Sequence, residues 1–119
     1  LIQAAEMGRY NITSNAIAPS ARTRMTEEVF AEMMKKPEKG FDAMDPANVA
    51  PLVVWLGSAD SKDVTGQVFE VAGGEISVAD GWRKGPAVDK GGRWEPDEVG
   101  AAVKDLLGKA VPPQKVYGT

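Results

Sequence analysis

Catalysis and ligand binding need side chains that move protons, donate electron pairs or grip charge, and this chain holds few of them. It has no cysteine and no histidine. That excludes disulfides, thiolate nucleophiles, Cys/His zinc sites and any imidazole-based triad. The aspartates and glutamates form no paired constellation with an evident general-acid role. One candidate cluster stands out at the end of an apolar stretch, Pro19-Ser20-Ala21-Arg22-Thr23, with Arg24 next to it. Arg22 and Arg24 could grip phosphate groups, although exposed arginine is ordinary and solvated loop charge is the simpler reading. Thr23 has a hydroxyl able to donate to a phosphate oxygen. Gly73-Gly74 reads as turn chemistry, not as a phosphate cradle, and no Gly-x-Gly-x-x-Gly fingerprint occurs. Lys84, Lys90 and Arg93 read as solvent-facing.

The elements that must position this cluster follow from local patterns. Leu1 to Met7 reads as a helical stub ending near Gly8, with no N-cap residue and no initiator Met. The expectation is a helix entered midway. Ile12 to Ala18 reads as a strand, stopped by Pro19, which has no N–H to give a sheet. Thr26 is the expected cap of a following helix, with Glu27 and Glu28 at its positive end. Phe30, Met33 and Met34 share a face of that helix, which Lys35-Lys36-Pro37 ends. They could line a lipid-like pocket or serve as core.

After a polar stretch from Glu38 to Met44, Asp45-Pro46 predicts another helix start. Val49, Leu52, Val53 and Leu56 follow at helical spacing. Pro51 in that pattern predicts either a kink or a true start later than Pro46. Gln67 to Val71 reads as a buried strand of parallel type, and Glu75 to Val78 as a short extended addition. From Ala79 to Arg93 the chain reads as loop. Glu95-Pro96-Asp97 opens a last helix with Val99, Ala102, Val103 and Leu106 on one face, and Pro112-Pro113 ends it ahead of a mobile tail. Two strands separated by helices predict an α/β crossover, yet two strands cannot cover their helices or close their own edges.

Composition narrows the partners. With 43% hydrophobic and 26% charged residues the chain is an ordinary globular one. Its net charge of −3 argues against nucleic acid and anionic membranes as partners. The longest apolar stretch, Val49 to Gly57, is too short to span a bilayer. No signal peptide or C-terminal address is evident, and the cytoplasm is the expected compartment.

Two stretches carry a resemblance. Asn11-Ile12-Thr13-Ser14-Asn15-Ala16-Ile17-Ala18-Pro19-Ser20-Ala21-Arg22-Thr23-Arg24-Met25-Thr26 contains a segment similar to a Val-Asn-x-Ile-x-Pro-Gly strand end. Val64-Thr65-Gly66-Gln67 through Gly73-Gly74 is similar to a Thr-Gly-Gln-x-x-x-x-x-Gly-Gly strand. In this order, with an amphipathic helix between them, they resemble the last two strands of the short-chain dehydrogenase/reductase family. Pro19 to Thr26, Val49 to Leu56 and Phe69-Glu70-Val71 look most like the branch that includes the dehydrogenase region of peroxisomal multifunctional enzyme type 2 and bacterial relatives. The chain departs from the family at Ser20, where Gly is usual.

The resemblance implies an α/β fold: the C-terminal portion of a Rossmann-like doubly wound parallel sheet over residues 1–78, with a helical extension over 79–119. It implies NAD or NADP as cofactor, contacted by Pro19, Ser20, Ala21, Arg22 and Thr23. Backbone groups of Ser20 to Arg22 would meet the nicotinamide carboxamide, and Thr23 the pyrophosphate. An ordinary turn is the competing reading of that loop. Asn15 would be structural, bonding within its strand, and Arg24 to Met44 would be a lid over the substrate. The implied reaction interconverts a secondary alcohol and a ketone, with a 3-hydroxyacyl thioester or similar lipid-like molecule as substrate, in a homo-oligomer.

In that family a Ser, a Tyr and a Lys do the chemistry, the Tyr and Lys in Tyr-x-x-x-Lys. Tyr10 is followed four residues later by Ser14, and Tyr117 lies two residues before the last, Thr119. No catalytic residue is therefore expected among these 119; the Ser, Tyr and Lys are expected upstream of Leu1. A second reading is an inert interaction module that pairs with another chain through an open sheet edge.

Overall fold

The computed structural model describes residues 1–113 and divides the chain into two compact units, Leu1–Asp80 and a second beginning at Gly81. The expected mobile tail beyond Pro113 lies outside the described residues. In the first unit α1 (Ile2–Met7) runs into a 3-10 turn, Gly8–Tyr10. Then come β1 (Ala16–Ser20), α2 (Arg24–Val29), a 3-10 turn at Pro46–Val49, α3 (Ala50–Leu56), β2 (Val68–Ala72) and β3 (Glu75–Val78). The second unit carries α4 (Pro96–Lys109).

The sheet has three strands in the order β1-β2-β3, the expected pair and the short extended addition at Glu75–Val78. β1 and β2 are parallel, Ala16 opposite Val68 through Ser20 opposite Ala72. β3 returns antiparallel, with Glu75 opposite Ala72, so the sheet is mixed. Gly73 and Gly74 make the two-residue connection, and Gly73 adopts φ +57°. A turn of this length favours positive φ at its first central residue, which glycine takes without strain.

Register in a parallel pair cannot come from a tight hairpin, because the strands are joined by a long crossover. Here it comes from a polar clamp at the amino ends of the strands. Asn15 Nδ2 donates to the Val64 carbonyl at 2.9 Å, and Asn15 Oδ1 accepts from the Gln67 N–H at 3.2 Å. Ser14 N–H donates to Thr65 Oγ1 at 3.0 Å, and Gly66 N–H donates to the Ser14 carbonyl at 2.8 Å. Asn15 is thus structural, but it bonds across to the turn before β2 instead of within its own strand.

Pro19 lies inside β1, opposite Val71, and does not stop it. Ala16 N–H donates to Gln67 O at 2.9 Å, so the residues of β1 that donate toward β2 are Ala16 and those two apart from it. Pro19 falls out of that phase. Its missing N–H faces the edge that has no neighbour, where proline is tolerated.

Burial is concentrated on one face of the sheet. Val71 is only 1% exposed, and Ala4, Leu52 and Ser61 complete the buried set among the described residues. Ser61 is satisfied there, its Oγ donating to the carbonyls of Leu56 and Ser58. Ala16, Ala18, Ser20, Val68, Glu70 and Ala72 form the opposite face, all exposed. A core of four residues is small for a domain.

The helix α3 begins at Ala50 with Pro51 in its first turn, the later of the two starts that the sequence allowed. Asp45 caps the preceding 3-10 turn, its Oδ1 accepting from Ala47 N–H at 2.9 Å. α4 starts as expected, with Glu95 and Glu98 forming a reciprocal capping box.

Two substitutions test these supports. Asn15→Ala removes both arms of the clamp and leaves the Val64 carbonyl and Gln67 N–H without it, so a loss of about 2 kcal/mol is expected from denaturant midpoints. Gly73→Ala forces alanine into positive φ and puts its Cβ 3.1 Å from Ala43 Cβ and 3.2 Å from the Ala43 carbonyl. A loss of at least about 2 kcal/mol is expected from the same measurement.

Candidate functional site

The carboxyl ends of β1 and β2 lie level because the register pairs Ser20 with Ala72. On the bare face of the sheet these ends border a depression of about 360 Å³, lined by Ala18, Pro19, Ser20, Ala72 and the carboxylate residues Glu70 and Glu75 among others. In open α/β sheets ligands sit beyond such strand ends. The two carboxylates make the depression a poor seat for phosphate and an acceptable one for an uncharged or cationic ring.

Of the five sequence-predicted residues, Pro19 and Ser20 line this depression, while Ala21, Arg22 and Thr23 lead away from it into α2. Thr23, and not Thr26, is the N-cap of that helix. Thr23 Oγ1 accepts from Thr26 N–H at 3.3 Å, and Thr23 N–H donates to Thr26 Oγ1 at 2.7 Å. The Thr23 hydroxyl proton can still be directed outward, since a hydroxyl accepts and donates at once.

Arg22 is not a solvated loop charge. Its side chain is 14% exposed and that of Asp42 12%. Nη2 pairs with Asp42 Oδ2, while Nη1 donates to Asp42 Oδ1 at 3.3 Å and to the Met34 carbonyl at 3.1 Å. Nε lies 3.6 Å from Glu27 Oε1, and Arg22 N–H donates to the Met44 carbonyl at 2.7 Å. That last bond occupies one of the backbone donors expected to face a cofactor. The hydrogen bond from Arg22 holds the Asp42 carboxyl below its ordinary pKa against the opposing effect of burial, and the Met44 N–H adds to it. The same pair raises the Arg22 pKa, first through its hydrogen bond to Asp42.

Arg24, by contrast, is exposed. The helix expected to run through Met34 stops at Val29, followed by a turn closed by Met34 N–H to Phe30 O at 2.9 Å. Phe30 and Met33 are about half exposed, so neither is buried as core.

Sequence reasoning missed Asp42. It falls in a stretch that reads as polar linker, and the one local hint is an acid flanked by Phe41, Ala43 and Met44. Asn48 was missed with it, although its Nδ2 donates to the Asp42 carbonyl at 2.8 Å.

In the second unit Lys90 is not simply solvent-facing. It pairs with Glu98 and stands 5.7 Å from the Trp94 ring centroid. Its hydrogen bond lowers the Glu98 carboxyl pKa. Trp94, Val99, Ala102, Val103 and Leu106 line a shallow apolar recess there. Lys84 and Arg93 are exposed. Among the described residues there is no group of three or more metal-ligating side chains, and no helix is long and apolar enough to cross a membrane.

Known proteins agree with the strand-end pattern. A family profile described as Enoyl-(Acyl carrier protein) reductase matches residues 2–75. A hydroxyacyl-CoA dehydrogenase of Mycobacterium tuberculosis is 32% identical over 124 aligned positions, covering 100% of this chain and 38% of that protein. Peroxisomal multifunctional enzyme type 2 of Mus musculus is 44% identical over 73, covering 61% of this chain and 9% of that protein. The crystal structure of a short chain dehydrogenase from Mycobacterium avium superposes with a TM-score of 0.73 at 56% identity, covering 100% of this chain and 36% of that one. The chain thus spans little more than a third of the first of these relatives. With the two ordered strand motifs, the parallel pair they form and the match from residue 2 to residue 75, the chain belongs to the short-chain dehydrogenase/reductase family.

Proposed function

We propose that these residues form one wall of the nicotinamide cofactor site, and the adjoining lid, of an NAD(P)-dependent oxidoreductase that interconverts a secondary alcohol and a ketone. The observation that carries this reading is the placement of Pro19 and Ser20 on the depression at the carboxyl ends of the parallel strands, with Thr23 at the turn into α2. Bound there, the nicotinamide would supply a two-electron hydride donor or acceptor. Pro19 and Ser20 shape the seat of its ring, and the Thr23 hydroxyl donates to the pyrophosphate. Of the groups expected to contact it, the Arg22 N–H is already engaged with Met44, which leaves the contact to Ser20 and Ala21.

The proton-moving Ser, Tyr and Lys belong, in this reading, to another part of the polypeptide, since neither tyrosine here is followed by lysine at the fourth position. The substrate we favour is a 3-hydroxyacyl thioester. It is supported by the hydroxyacyl-CoA dehydrogenase relative and by the exposed apolar side chains of the lid, Met25, Val29, Phe30 and Met33. The full-length protein is taken to be a homo-oligomer, and the exposed Val53, Val54 and Trp55 of α3 offer it an apolar contact strip. Alignment with dehydrogenases along the whole chain favours this reading over an inert interaction module.

The test is hydride transfer by the full-length protein between 3-hydroxyacyl-CoA and NAD+ or NADP+. Production of reduced nicotinamide is expected, and its absence with both cofactors across acyl lengths would falsify the reading. The Thr23 contact has its own test. Asn and Asp both serve as N-caps, so Thr23→Asn and Thr23→Asp should leave the unfolding midpoint nearly unchanged. The aspartate is expected to weaken cofactor binding about tenfold more than the asparagine by opposing the pyrophosphate. Equal affinities for the two variants would move Thr23 off the cofactor.

A further inference from the structure

The lid has two limbs with different attachments. The outbound limb, residues 24–33, holds α2, which buries none of its residues. It meets the strand end through Thr26, whose Oγ1 accepts from Thr23 N–H at 2.7 Å, and through Glu27, 3.6 Å from Arg22 Nε. The return limb, residues 34–44, is met at three points by Arg22. Arg22 reaches it at Met34, at both oxygens of Asp42 and, through its own N–H, at Met44. Asp42 is braced in turn by the Met44 N–H at 3.2 Å and by Asn48 through its carbonyl. Ala43 rests against Gly73.

A planar guanidinium matched to a carboxylate fixes orientation as well as distance, which a single ammonium contact does not. Arg22 follows directly on Ser20 and Ala21. Any displacement of the return limb is therefore felt at the strand end, and any shift of the strand end at the limb.

We infer that Arg22 is a positioning residue for substrate. Its pairing with Asp42 locks the return limb of the lid to the strand end that carries the cofactor wall, and so sets how the lid meets the acyl group. Arg22 acts on substrate through the lid and does not touch it. The inference rests on the functional reading above for its kinetic consequence, but not for the latch itself.

Both can be measured on the full-length protein with Asp42→Ala, Arg22→Ala and the double variant. Each single change is expected to raise KM for the acyl thioester about tenfold while kcat falls much less, because the lid and not the reacting groups is misplaced. The double variant should match the worse single one to within roughly twofold, the signature of two residues acting as one unit. Hydrogen–deuterium exchange should accelerate across residues 34–44 in all three variants and stay unchanged across β2. Asp42→Asn, which keeps shape and removes charge, gives the same readings if the alanine variant fails to fold.

The inference is overturned by a KM that stays fixed while only the unfolding midpoint drops, which is what a purely structural ion pair produces. It is overturned equally if Arg22→Ala raises KM while Asp42→Ala leaves it unchanged, since Arg22 would then act without the latch. Unchanged exchange in the return limb also overturns it. If the unaltered protein turns over no acyl thioester, the functional reading fails, while the exchange measurement still decides the latch.

Discussion

Two side-chain hydrogen bonds at Asn15, one donated to Val64 and one accepted from Gln67, hold the geometry on which everything else rests. β1 and β2 meet only after the chain has passed through α2, the loop that follows it and α3, so nothing local aligns them. Asn15, Ser14 and the Thr65-Gly66-Gln67 turn supply that alignment at the amino ends. A slip of one residue would turn every side chain to the opposite face. Val71 would leave the core, and Ser20 would no longer stand level with Ala72. Gly66 serves this turn through its backbone: it takes φ +71°, a conformation that side-chain-bearing residues rarely adopt.

Locally encoded features were legible in the residues. Asp45 before Pro46, Glu95 before Pro96 and Gly73-Gly74 between extended stretches each name their own conformation, and the structure keeps all three. Features decided at long range were not. Thr26 reads as the cap of α2, but the structure uses Thr23, three residues earlier, with Thr26 as its reciprocal partner. Pro19 looks like a strand stop until the phase of hydrogen bonding shows which way its nitrogen faces. Arg22 and Asp42 lie twenty residues apart with no shared period, so neither announces the other. An arginine next to a turn looks solvated unless its acid is known.

The bare face of the sheet explains the thin core. Ala16, Ala18, Ser20 and Ala72 are small, which leaves a nearly smooth surface on which another layer can approach the backbone closely. Family sheets of this kind are covered on both faces, and this chain spans about a third of the solved relative it matches. The small side chains also keep the depression at the strand ends open, because larger ones at 18, 20 or 72 would fill it.

Pro19 also marks the open edge of β1. Along that edge Ile17 presents both a donor and an acceptor, while Pro19 presents only its carbonyl. One missing hydrogen thus leaves the edge weaker as a template for a further strand just where β1 reaches Ser20.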